Sequence, residues 1–430
     1  MPTRPRQSRG FLMRTIPVPF QSEETIRPAI ALARNIVHLF SQKVGLSTKP
    51  PPATRQPEHP SESPMNIVIA VTRFHSNLTS WVKAFQSRGH RVAVLVVEYG
   101  PSEDHSVITP ERMDLKKLDG EAAGRLVARL QPDLLILRHK DKAMRHLVAA
   151  SRRSGAKTLF YEQLEYLRPA GLGSAWHDLG RLQRRWVRGY PLRSITPSMR
   201  SREGVPRFMA RFFHFPMQPY PGASERPYCP DGRPRVICIG KLARPKKRHL
   251  WAVRALEELG RPYQLTIVGS GFDSDIYPDK RDRAYYDELR ATVRNHSGHG
   301  QVTLHEDFPP AKMADLYLES DILVLPSAKE NFGVTPLEAM AAGCAVLSTD
   351  NNGSAGYIEP GHDGLLFRNG DYDDFKAKLA SLVSEPDRVA ALGGQGLRTL
   401  EEKHNYRAFV SEILASAGLP DSAPPPPGHA

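Results

Sequence analysis

Two glutamates, Glu330 and Glu338, close the ends of the run ENFGVTPLE, and the loop that begins it carries Asn331, Phe332 and Gly333. Elsewhere Lys241, Lys246 and Lys247 follow Gly240, and Gly269 and Gly271 bracket a serine. Lysine ammonium groups supply fixed positive charge. Glycines let backbone N–H groups come close to a ligand. Together they describe a site for a phosphorylated ligand. Each element alone is weak, since Gly-Ser-Gly by itself is an ordinary turn and a loop glutamate is by default a solvated acid. What joins them is position.

Each group follows a short apolar run of the kind that forms a parallel strand buried on both faces. RVICI (235–239) precedes Gly240-Lys241-Leu242 and Lys246-Lys247-Arg248, and QLTIV (264–268) precedes Gly269-Ser270-Gly271. DILVL (321–325) precedes Glu330 to Gly333, and AVLS (345–348) precedes Asp350, Asn351, Gly353 and Ser354. In an open parallel sheet, ligands bind beyond the carboxyl ends of the strands, so these exits would share one edge. After Gly333 the pattern predicts a helix, with Thr335 as N-cap, Pro336 at the first helical position and Gly343 ending it in a left-handed cap. Its free N–H groups would face the same edge. Glu338 has two readings. Thr335-x-x-Glu338 is a capping box, in which the carboxylate bonds back to the Thr335 amide. The alternative makes Glu338 a ligand-binding acid.

The elements that must position these groups come in two series. MNIVIAV, RVAVLVV, DLLIL (133–137) and KTLFY (157–161) are strands separated by helices over 78–87, 122–130 and 142–154, with a short strand at 194–196. They predict a first domain over 65–219, which ends in a Pro/Gly-rich linker at 220–234. The second series predicts a domain over 235–419, with helices at 250–259, 284–295, 311–319, 372–383 and 406–415. Strand and helix alternating in this way means two Rossmann-like, doubly wound parallel-sheet domains of the α/β class. Residues 1–64 read as a disordered extension with one amphipathic helix at 23–40, a membrane-surface anchor being the competing reading. Met65 is equally readable as a start, and 420–430 is a low-complexity tail.

A chain of 430 residues can hold two full cores. The net charge of +13 points to an anionic partner. No apolar run is long enough to span a bilayer. The cysteines, Cys229, Cys238 and Cys344, have neither pairing nor zinc spacing, which fits a reducing cytoplasm. No Gly-x4-Gly-Lys-Ser/Thr run exists, and Gly-x-Gly-x-x-Gly follows the first strand of neither half, which argues against a P-loop and a dehydrogenase. Between Arg181 and Arg211 stand nine arginines against one acid, Glu203, with aromatic residues interleaved. That segment reads as a solvated helix face, as a dock for an anionic bilayer or as a nucleic-acid reader.

Glu330-Asn-Phe-Gly-Val-Thr-Pro-Leu-Glu338-Ala-Met-Ala-Ala-Gly resembles the E-x7-E signature of retaining GT-B glycosyltransferases, group 1, family 4-like. Gly240-Lys241-Leu242 with Lys246 or Lys247, Ile267-Val268-Gly269-x-Gly271, Ser320 to Ser327 and Gly361-x-x-Gly364 are similar to further elements of that group. The resemblance covers about 235–386; before that it is architectural only. It implies two domains facing a cleft, with transfer of a sugar from a nucleotide-diphosphate sugar, UDP- or GDP-linked, to a glycan, glycolipid or similar acceptor. It implies no metal. By position, Lys241 and Lys246 or Lys247 would hold the diphosphate, and Gly240 would let it approach. Glu330 and the backbone of Asn331 to Gly333 would grip sugar hydroxyls, and Glu338 would accept from the ribose. His75 and His139 sit where first-domain loops would face the donor. Glu306 stands where this group often has glycine in its base-contacting turn. A cytoplasmic protein is expected, peripheral on the inner membrane face through Arg181–Arg211, with no nucleic-acid partner. A non-catalytic nucleotide-binding subunit and a nucleotide-sugar epimerase on the same fold remain the alternatives.

Overall fold

In a computed structural model, the described residues run from 64 to 421, apart from 101–102, 140, 164–188, 190–192, 198–209, 274–275 and 277–278. The expected helix at 23–40, most of the arginine-rich segment and the tail beyond 421 lie outside them. No described helix is long and apolar enough to cross a membrane.

The first domain holds β1 (Asn66–Val71), α1 (Ser76–Ser87), β2 (Arg91–Val96), β3 (Glu111–Arg112), α2 (Gly120–Leu130), β4 (Leu134–Leu137), α3 (Met144–Arg153), β5 (Lys157–Tyr161), β6 (Ser194–Thr196) and β7 (Ala210–Phe212). Its strands lie in the order β3-β2-β1-β4-β5-β6-β7, every neighbouring pair parallel. β4 is buried along its whole length, which is what a central parallel strand with helices on both faces requires.

The second domain holds β8 (Arg235–Ile239), α4 (His249–Glu258), β9 (Gln264–Gly269), α5 (Lys280–Arg294), β10 (Gln301–Glu306), α6 (Met313–Leu318), β11 (Ile322–Leu325), α7 (Thr335–Ala341), β12 (Ala345–Thr349), β13 (Leu365–Phe367), α8 (Tyr372–Ser384) and α9 (Pro386–Lys403). Its sheet runs β10-β9-β8-β11-β12-β13, again all parallel. The central strands β8 and β11 carry the register Ile322 to Val236, and Arg235 locks that end by donating to the fully buried Asp321 at 2.6 and 3.0 Å. The predicted pair of doubly wound parallel sheets is therefore present.

Two helices depart from the sequence reading. Helix α9 is not among the expected elements, because Gly393, Gly394 and Gly396 inside it lower helix propensity. The glycines have a packing reason: a Cβ at Gly393 would overlap the Gly343 carbonyl, and one at Gly396 would press on Met340 at 3.1 Å. The last helix, α10 (Tyr406–Ala417), is expected within the second domain and instead returns to the first. Phe409 joins a cluster of Trp81, Phe85 and Phe213 with ring centroids 4.9 to 5.6 Å apart, and Trp81 also meets Tyr161. A chain that reads as apolar and helical at 406–417 does not say which of two cores it completes.

Candidate active site

Gly240, Lys246, Lys247, Glu330 and Asn331 to Gly333 converge at the carboxyl edge of the second sheet, whereas Lys241 and Glu338 do not line the pocket there. A pocket of about 570 Å³ is lined there by Gly240, Lys246, Lys247, Glu330, Asn331, Gly333 and Thr335, and from the first domain by Gln163. The loops that build it are bonded to one another by backbone and side-chain groups. Gly353 N–H donates to the Glu330 carbonyl at 3.1 Å, and Thr349 Oγ1 donates to the Ser327 carbonyl at 3.2 Å. Asn351 Nδ2 donates to the Ala328 carbonyl at 3.0 Å. Gly333 has φ of +74°, a left-handed turn that suits glycine. Tyr357 donates its hydroxyl to the Gly333 carbonyl and fixes the turn from behind.

The central contact is an ion pair between Lys247 Nζ and Glu330 Oε1, with side chains only 13% and 21% exposed. The two adjacent lysines, which both line the pocket, differ here. Lys247 faces Glu330, whereas Lys246 is exposed at the pocket rim and uses its carbonyl to accept from Ala328 N–H at 2.8 Å. Lys241 is also exposed and sits close enough to the first domain to act electrostatically on His75. Behind the loop lies His249, fully buried, with its pKa pushed down to about 3, first by burial and then by Lys247.

Gly269 and Gly271 do not line the pocket. A Cβ at Gly269 would overlap the Gly240 carbonyl oxygen, so this glycine lets the ends of β8 and β9 pack. Gly271 N–H donates to Asp307 Oδ1 at 3.1 Å. Phe332 lines the pocket. Its ring is buried between Phe215 and Tyr357, with centroids 5.4 and 5.3 Å away.

The capping box does not form. The N-cap is Val334, helix α7 begins at Thr335, and no side chain caps it. Glu338 Oε2 instead accepts from the Tyr317 hydroxyl at 2.8 Å, and burial raises the carboxyl pKa. The cause is a one-residue shift of the helix start, which places Thr335 inside the helix. Gly343 does take the expected left-handed conformation, with φ of +73°. Glu306 accepts from the Tyr286 hydroxyl at 2.6 Å and pairs with Arg290 at 3.2 Å.

The first-domain wall is built differently. His139 Nδ1 lies 2.8 Å from Thr72 Oγ1, and burial lowers its pKa. His75 is exposed at the start of α1, its pKa lowered by partial burial and then by Arg138, Arg73 and Lys241. Arg138 and Gln163 are absent from the residues that the sequence reading selects. Both follow strands, β4 and β5, and the rule that ligands lie beyond strand ends was the available signal.

Several known proteins are similar to this chain. The D-inositol 3-phosphate glycosyltransferase of Rhodococcus erythropolis is 32% identical over 171 residues, which is 39% of this chain and 37% of that protein. The lipopolysaccharide core biosynthesis mannosyltransferase LpcC of Rhizobium leguminosarum bv. viciae is 29% identical over 186 residues, 43% of this chain and 49% of that protein. The matches thus span less than half of these relatives' own lengths. The structure of Anabaena Alr3699/HepE in complex with UDP and glucose superposes with a TM-score of 0.59 at 13% identity, over 82% of this chain and 99% of that one. At that identity the likeness speaks for the fold, which is GT-B. In sequence, residues 225–398 match the family model of glycosyl transferases, group 1.

Proposed function

We propose that the protein is a retaining glycosyltransferase that moves a sugar from a nucleotide-diphosphate sugar to a glycan, glycolipid or similar acceptor. The observation that carries this reading is the Lys247–Glu330 pair on the wall of the pocket, next to Gly240. Breaking a sugar–phosphate bond builds negative charge on the departing diphosphate. Ammonium groups held at that position stabilise the charge more in the transition state than in the bound donor. Without donor, Lys247 and Glu330 neutralise each other. A diphosphate would draw Lys247 and free Glu330 to accept from sugar hydroxyls.

Lys241, exposed at the same strand exit, supplies the second cation. Glu338 takes the ribose: Tyr317 occupies Oε2, and no described residue bonds Oε1. Retention follows from attack on the face the diphosphate leaves, with that phosphate helping to deprotonate the acceptor. Because lysines neutralise the leaving group, turnover is expected to survive EDTA. The reaction belongs on the cytoplasmic face of the membrane, with Arg181–Arg211, mostly outside the described residues, as the membrane contact.

The test is a panel of UDP- and GDP-sugars scored first by thermal shift and then by transfer to glycan and lipid-linked acceptors. One donor should stabilise the fold by mass action. Glu330→Ala and Lys241→Ala should each cut turnover by about 100-fold or more, the scale of removing one stabilising group from a transition state. Unchanged turnover in both variants would overturn the reading. Release of a changed sugar nucleotide without acceptor would make the protein an epimerase.

A further inference from the structure

The cations discussed so far lie on the second-domain wall. Across the cleft, Arg138 follows β4, and no ion pair to it exists among the described residues. Its guanidinium is held from two sides. It lies over the Tyr161 ring at 5.0 Å, and its Nη2 donates a long hydrogen bond to Gln163 Oε1 at 3.4 Å. Gln163 in turn donates to the Tyr161 hydroxyl at 3.2 Å and lines the pocket. Nη1 of Arg138 is buried and has no hydrogen-bond partner among the described residues, and the same holds for Nε2 of the next residue, His139.

A buried guanidinium N–H without an acceptor is costly, because it has lost water and gained nothing in return. The nearby charges do not relieve it. Arg73 is paired with Glu98 at 2.9 Å. Of the carboxylates near His75, Glu103 is bonded to His105 at 3.0 Å. Burial first, then Arg138, Arg73 and Lys241 depress His75, while Glu103 raises it, so cations from both walls outweigh the one acid acting on this residue. A planar guanidinium stacked on an aromatic ring, with one N–H unpartnered and its bonded neighbour Gln163 lining the pocket, is preorganised for a planar or tetrahedral oxyanion.

We propose that Arg138 binds an oxyanion carried by the acceptor, a phosphate or a carboxylate, so that the acceptor is an anionic molecule. This rests on the transferase reading above and narrows it. Gln163 positions the guanidinium, and Lys241, Lys246 and Lys247 remain with the donor diphosphate. The acceptor hydroxyl is then delivered to the sugar from the first-domain side, anchored by its charge.

The experiment uses the full chain saturated with UDP or GDP, whichever stabilises it, so that the diphosphate site is filled. Glycerol 3-phosphate, glycerate and uncharged glycerol are then titrated. The two anions should bind and glycerol should not. Arg138→Gln should weaken anion binding by tenfold or more while leaving nucleoside diphosphate affinity within twofold, and Arg138→Lys should recover only part of it. Anion binding should also raise the His75 titration midpoint, followed by NMR, because the added charge offsets Arg138. Gln163→Ala, which keeps the ring and the charge, should give a smaller loss of the same kind if Arg138→Gln folds poorly. Equal loss of nucleoside diphosphate binding in Arg138→Gln would place Arg138 at the donor and overturn the proposal. So would anion binding that ignores both variants. If neither UDP nor GDP binds the wild-type chain, the transferase reading fails by itself, and Arg138 is then read from the loss of anion binding in Arg138→Gln against Lys247→Met, which reports anions held by the lysines.

Discussion

On the second-domain wall, the groups facing the cleft are placed by backbone. Gly269 packs on Gly240, Gly353 N–H holds the Glu330 carbonyl, and Lys247 meets Glu330 within that frame. On the first-domain wall, they are placed by side chains: a tyrosine ring under Arg138, a glutamine beside it, a threonine on His139. Both walls come from the same parallel topology and lie beyond strand ends. The backbone-built wall needs glycines at fixed spacing and so leaves a motif in the sequence. The side-chain-built wall can be assembled from many residue types and leaves none. A common diphosphate on one side and a variable acceptor on the other would favour that division.

The sharpest break of this comparison is between neighbouring lysines. Lys247→Met strands Glu330 in a largely buried site, and truncating one partner of such a charge pair costs about 2–5 kcal/mol, so donor affinity by calorimetry should fall at least about 30-fold. Lys246→Met, at the exposed rim, should stay within about threefold, a rim charge being worth about 0–1 kcal/mol. Equal losses would mean that the backbone frame does not select between them.

Gly269→Ala should destabilise the protein by about 3 kcal/mol in urea unfolding, since a Cβ there collides with main chain rather than with a side chain that can move. An unchanged urea midpoint in this variant would show that the frame is softer than drawn.

Acid should act on both sides of the molecule's midline. His249 sits behind the second-domain wall, and His404, pushed down to about 4 by burial, sits between the domains with Nδ1 bonded to the Phe215 carbonyl at 2.8 Å. Both stay neutral when folded, while an unfolded imidazole takes a proton near 6.5. Stability is therefore complete above about pH 6.5 and is lost as pH falls toward 4, by about 2 kcal/mol per group at pH 5. Urea midpoints at pH 7 and pH 5 measure it, and His404→Asn should remove part of the difference.

The smallest effect should come from Thr335→Ala. With no side-chain cap on α7, the change should stay under about 0.5 kcal/mol, against about 1 kcal/mol for a true cap.

The strands of the second sheet were legible because a buried parallel strand must be apolar throughout, as Ile322–Leu325 is and Ala345–Thr349 nearly is. Their exits followed from the same rule, and so Glu330 and its lysines could be found. The role of Thr335 was not legible, because capping turns on one residue of register that Val334 and Thr335 satisfy about equally on paper. Strand β3, two exposed residues, and β7, three residues, are too short to show a period. Helix α9 hid behind glycines that serve a neighbouring helix. Arg138 lies next to His139, which the strand-exit rule does select. Nothing in a sequence tells which of two adjacent polar residues will be stacked on Tyr161.

The return of α10 to the first domain also sets an order in time. Trp81, Phe85 and Phe213 complete their cluster with Phe409, which the ribosome adds after the whole of the second sheet. The first domain therefore leaves the exit tunnel with its aromatic core open, and it stays so until the second has been made. Domains usually finish in the order of synthesis. Here the earlier half must wait for the later one, and a fragment cut at residue 219 would carry that open core permanently.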